Sequence, residues 1–124
     1  ASALQMLEAG QAQLNRSAMA TARMAFQDLL NTYPTSTLVP DALYGIAESY
    51  LDSNADSATA YLREVARDYR QSPRAASAMF KLGDRAQRAG DLETAKGWFQ
   101  QVVTAQYRGL SEYTVAEERL RQIP

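Results

Sequence analysis

A chain of 124 residues with 46% hydrophobic content can bury one helical core without staples, which bounds it to a single domain. Cys and His are both absent, excluding disulfides and the usual zinc sites, and the acidic residues are spread out rather than gathered at calcium-loop spacing, so neither metal nor cofactor is expected. Thirteen basic against fourteen acidic side chains, with no basic stripe, leave nothing to hold a phosphate backbone, so nucleic acid is not an expected partner.

In chain order, a first helix is predicted over residues 2–14, and Ser17 is placed to cap a second that runs to about Thr32. Tyr33-Pro34 stops it, because proline disfavours helix in the preceding residue and has no amide donor. A third helix starts at Val39 or Pro40 and ends near Asp52, and after Ser53-Asn54 a fourth covers residues 55–68. Ser72-Pro73 opens a fifth that reaches Arg88. Ala89-Gly90-Asp91 is a helix-to-helix turn, with Gly for the left-handed position and Asp to cap residues 92–106. Ser111 is placed to cap a last helix to Gln122, on which Val115, Leu120 and Ile123 alternate with the charged run at 117–121. No strand is supported, and no apolar stretch is long enough to span a membrane.

Superposed on these helices is a repeat. Small residues recur at Gly10, Ala47 and Gly83, then at Ala22, Ala58 and Ala95, followed by bulky Phe26, Leu62 and Phe99. The steps are 36 or 37 residues throughout, the period of tetratricopeptide (TPR) hairpins. The expected fold is all-α: a right-handed alpha solenoid of three TPR-like hairpins at about 3–38, 39–75 and 76–110, plus a C-terminal capping helix at 111–122. Small residues mark where helices cross closely, so Leu at Gly83 or Ala95 should overpack the crossing by roughly 1 to 3 kcal/mol.

Without histidine or cysteine, and with serines at caps and turns, no catalytic constellation can be assembled, so no enzyme is expected. Tyr33 and Tyr69 stand at equivalent helix ends and read as packing residues between repeats, with Tyr107 one register position late. Gln11, Glu48 and Asp84 follow the small residues of the first helices and form a polar ladder. One turn away stand Leu7, Tyr44 and Phe80, for which two placements are open. Either they are core, or Tyr44 and Phe80 are aromatic anchors of a concave peptide-binding groove flanked by Glu48, Asp52, Asp84, Gln87 and Arg88.

The stretches F-Q-D-L-L-N-T-Y-P-T-S-T-L-V-P-D-A-L-Y from Phe26 and Y-R-Q-S-P-R-A-A-S-A-M-F-K-L-G-D-R-A-Q-R-A-G from Tyr69 resemble the repeat domain of the YbgF/CpoB accessory proteins of the bacterial Tol-Pal system. The segment A-M-F-K-L-G, Ala78 to Gly83, is its most specific part. The resemblance implies a periplasmic adaptor that binds a TolA-like envelope protein and coordinates outer-membrane constriction with septal peptidoglycan synthesis in cell division. Members usually carry a trimerising N-terminal coiled coil, and no heptad region is present here. Arg70 and Arg108 stand where the family has proline after tyrosine, and Y-G-I-A-E at 44–48 replaces an aromatic-richer helix. The same Tyr-Pro-x-Ser turn occurs in BamD-like lipoproteins of the outer-membrane assembly machinery, which is the alternative reading. A self-associating structural module is a third.

Overall fold

A computed structural model describes all 124 residues as helices and connecting turns. Seven α-helices follow in order: α1 (Ala3–Asn15), α2 (Met19–Thr32), α3 (Val39–Tyr50), α4 (Ala55–Asp68), α5 (Pro73–Arg88), α6 (Leu92–Val102) and α7 (Ser111–Gln122), with a 3₁₀ turn at Ala105–Tyr107. The protein is all-α, built of helical hairpins with a trailing helix, as the TPR-like reading expects. Packing divides it into two compact units, Ala1–Glu64 and Val65–Pro124.

In the first unit, Ser2 starts α1 with a reciprocal capping box. Its hydroxyl accepts from the Gln5 amide at 3.1 Å, and Gln5 Oε1 accepts from the Ser2 amide at 2.8 Å. The end of α1 departs from expectation. Ser17 does not cap α2, whose preceding residue Ala18 makes no side-chain cap. Ser17 instead takes φ +61°, and the amides of Ser17 and Ala18 donate back to Leu14 and Gln13 at 2.9 Å each. This is a Schellman closure with serine in the seat that glycine usually fills. α2 lays Phe26, fully buried, beneath α1. A Cβ on Gly10 would collide with that ring, and one on Gly45 of α3 would lie 2.5 Å from its Cζ. The ring therefore lies between two glycines of different helices. α3 packs on both α1 and α2, and its Tyr50 stacks on Tyr61 of α4 with ring centroids 6.2 Å apart.

In the second unit, Ser72 caps α5 through the Arg74 amide, and Asp91 caps α6 through that of Thr94. Gly90, at φ +83°, closes α5 by the same Schellman pattern, with Asp91 donating to Ala86 and Gly90 to Gln87. Phe99 is fully buried against Gly83, where an added Cβ would lie 2.7 Å from Cε1. At the equivalent sequence positions midway along the chain stand Ala47 and Leu62, both buried. A larger ring is matched by a smaller partner each time, the size compensation that a close-packed crossing requires.

Two expectations fail here. α6 ends at Val102 rather than near Gln106, because the β-branched run Val102-Val103-Thr104 leaves helical geometry and Thr104 is fully extended (φ −130°, ψ 160°). Ser111 is the first residue of α7 rather than its cap, and its hydroxyl donates to Glu112. It is Ala116 on α7 and Ile123 just past its end that are buried, while Val115 is 43% exposed.

Candidate functional site

The residues singled out in the sequence fall into two groups, one in each unit. In the first, Tyr44 and Glu48 are one turn apart on α3, and Asp52 lies just past its end. Glu48 and Asp52 are exposed, whereas Tyr44 is 8% exposed and belongs to the core, the first of its two open placements. Sequence reasoning missed the neighbouring Arg23. Its guanidinium lies 4.2 Å from the centroid of the Tyr50 ring and donates to the Ser49 carbonyl at 3.1 Å and hydroxyl at 3.2 Å. Ser49 is itself buried and donates to the Ile46 carbonyl at 2.6 Å. The Ser49 carbonyl, among those freed at the end of α3, is thus satisfied by a cation.

In the second unit, Phe80, Asp84, Gln87 and Arg88 follow one face of α5, and the structure brings them together through a residue on α7. Phe80 is half-buried and tilts against Phe99 at 5.5 Å between centroids. Arg119 caps both rings, 5.3 Å from the first and 5.9 Å from the second. The same guanidinium donates to Asp84 Oδ1 at 2.8 Å and Gln87 Oε1 at 2.9 Å. Arg88 adds a bond to Asp84 Oδ2 at 3.0 Å from an exposed position. Burial pushes the Asp84 carboxyl up, but the hydrogen bonds and charges of Arg119 and Arg88 outweigh it and hold the pKa below its ordinary value. Asp84 and Gln87 are thus already engaged within the unit. In the sequence Arg119 stands within the charged run of the capping helix. The signal that could have found it is its spacing from Ala116 and Ile123, which puts all three on one helical face.

A second link to α7 runs from Ser77 of α5, which donates to Glu112 Oε2 at 2.7 Å. Burial raises the Glu112 pKa, and donors led by the Ser77 hydroxyl bring it below the ordinary value. Beside these contacts, a cleft of about 290 Å³ is lined by Gln71, Pro73, Gln106, Tyr107, Gly109 and Leu110. Tyr107 is buried, and its hydroxyl donates to the Arg70 carbonyl at 2.7 Å. Burial pushes this phenol's pKa up, with Arg70 partly offsetting the effect, so it remains a donor across the neutral range. No group of three acidic, His or Cys side chains is arranged to hold a metal ion.

Short antiparallel hairpins, with glycine seated against a Phe ring in the first and last, define the class of the chain: a TPR-like protein-interaction module. No curated protein matches it significantly. The family model of YfiO, described as an outer membrane lipoprotein, matches residues 1–123, and the chain belongs to that family. It is accordingly a non-enzymatic module of the periplasm at the outer membrane, and no helix is long and apolar enough to cross a membrane. This corrects the resemblance to YbgF/CpoB, and with it the Tol-Pal, cell-division and TolA assignments. The physical reason lies in the residues that carried the resemblance. Ala78, Met79, Leu82 and Gly83 are all buried, and Gly83 meets Phe99 at the α5–α6 crossing, so they report the packing that any such hairpin needs.

Proposed function

We propose that the chain is a BamD-like component of outer-membrane protein assembly, an adaptor that holds a protein segment while β-barrel proteins are delivered to the outer membrane. The observation that carries this reading is the match of the outer membrane lipoprotein family across residues 1–123, joined to a hairpin architecture whose first helices α3 and α5 carry the exposed Glu48 and Arg88. On α3 and just past its end, Glu48 and Asp52 supply polar recognition, with Tyr44 holding the helix from the core. On α5, Phe80 supplies the apolar contact, Arg88 an exposed charge, and Asp84 and Gln87 the support that positions them. Rim charges of this kind set partner choice and association rate more than affinity.

The test is depletion of the protein in its own cells, with complementation by the wild type or by Glu48→Lys with Asp52→Lys. Loss of folded β-barrel proteins from the outer membrane on depletion, restored by the wild type and poorly by the double variant, is the expected result. Unchanged β-barrel levels after full depletion would reject the assembly reading. Full rescue by the double variant would reject the α3 residues alone.

A further inference from the structure

The first Tyr-Pro turn, Tyr33-Pro34, becomes Tyr69-Arg70 and Tyr107-Arg108 in the second unit, so two turns have exchanged a rigid apolar ring for a long cation. Both arginines adjoin the 290 Å³ cleft in sequence: Arg70 precedes Gln71, and Arg108 sits between Tyr107 and Gly109, all three being lining residues. The Tyr107 hydroxyl ties the two turns together by its bond to the Arg70 carbonyl. Both arginine side chains are exposed. The Arg70 side chain makes a long 3.4 Å contact to Gln101 and its charge acts on the Tyr107 hydroxyl, and Arg108 pairs with no carboxylate. Glu112, two residues past the lining Leu110, already accepts from the hydroxyls of Ser77 and Ser111.

We propose that this cleft binds an acidic, extended polypeptide segment. Carboxylates of the segment meet Arg70 and Arg108, one apolar side chain rests on Pro73, Tyr107 and Leu110, and the amides of Gln71 and Gln106 pair with its backbone. The volume lies at the lower limit of ligand pockets, about 300 Å³, which suits one or two side chains of a peptide rather than a cofactor. An unsubstituted Gly109, whose Cβ direction meets nothing within 4 Å, keeps one wall open. This site stands on the second unit alone and does not depend on the assembly reading.

The probe is a fluorescein-labelled dodecapeptide rich in Glu and Asp with one Leu and one Phe, titrated against the whole chain by anisotropy. Its control carries Gln and Asn at the acidic positions. Binding of the acidic peptide, about tenfold or more weaker for the control and for Arg70→Glu with Arg108→Glu, is expected. Gly109→Phe, which fills the cleft while keeping both charges, should weaken binding as well, with helicity by circular dichroism unchanged in both variants. Absence of binding, equal binding of the neutral control, or affinity unaltered in either folded variant would overturn the proposal.

Discussion

Arg23 in the first unit and Arg119 in the second are both partly buried cations that cover an aromatic ring and close a helix face. Arg23 bonds to a carbonyl and a hydroxyl of Ser49, neither of which titrates in the ordinary range. Arg119 bonds to a carboxylate and an amide, Asp84 and Gln87. The packing beneath is of one kind, Phe26 against glycine in one unit and Phe99 against glycine in the other. Similar crossings are therefore locked by different chemistry, and only the second lock can be opened by protons. The two turns that end α1 and α5 differ in the same spirit. Both are Schellman closures, but one uses Ser17 and the other Gly90 in the left-handed position.

The shared part is broken by removing the rings. Phe26→Ala and Phe99→Ala should each cost about 3 to 5 kcal/mol in urea denaturation, since both side chains are fully buried. Comparable losses would support the common packing device, and a loss under 1 kcal/mol at either site would deny it there. Next, Gly83→Ala should cost about 1 to 3 kcal/mol, because the new methyl meets the Phe99 ring. In a Phe99→Leu background that cost should shrink, since the pair then repeats the Ala47 and Leu62 combination. Additive losses would show that ring size does not set the small residue.

The locks are separated by Asp84→Asn, expected to cost about 1 to 2 kcal/mol at pH 7, and much less at pH 3. Asp84 and Glu112 both have pKa values lowered by folding. Their contribution is full above the ordinary carboxylate range and is lost as pH falls through the lowered values. A wild type and Asp84→Asn pair whose stabilities stay parallel down to pH 3 would reject this assignment. Smallest is the turn comparison. Ser17→Gly should stabilise the chain by about 0.5 to 1 kcal/mol by removing the left-handed penalty of a residue with a Cβ. An unchanged melting temperature would mean that the turn carries no such strain.

Much of the fold was legible because its signals are local. Proline after tyrosine, Ser72-Pro73 and Ala89-Gly90-Asp91 place helix ends that the structure shows, and the Gly and Phe periodicity marks the crossings. What escaped depends on partners distant in sequence. Ser17 has the side chain of a cap, but backbone geometry at the end of α1 gave it a different task. Arg119 sits in a run of charges that looks solvated until α7 is laid on α5, and Tyr44 has the chemistry of an anchor but the burial of a core residue. Family membership was the least legible, because the most specific-looking segment is mostly buried and constrained by packing.

The most direct test is amide hydrogen exchange read residue by residue from pH 7 to pH 3, with rates corrected for intrinsic pH dependence. Protection of α5 and α7 should fall below the ordinary carboxylate range while that of α1, α2 and α3 holds, and Asp84→Asn should reduce the pH-dependent fall in the second unit. Simultaneous loss in both units, or a second unit whose protection is insensitive to pH, would contradict the claim that the two crossings are locked by different chemistry.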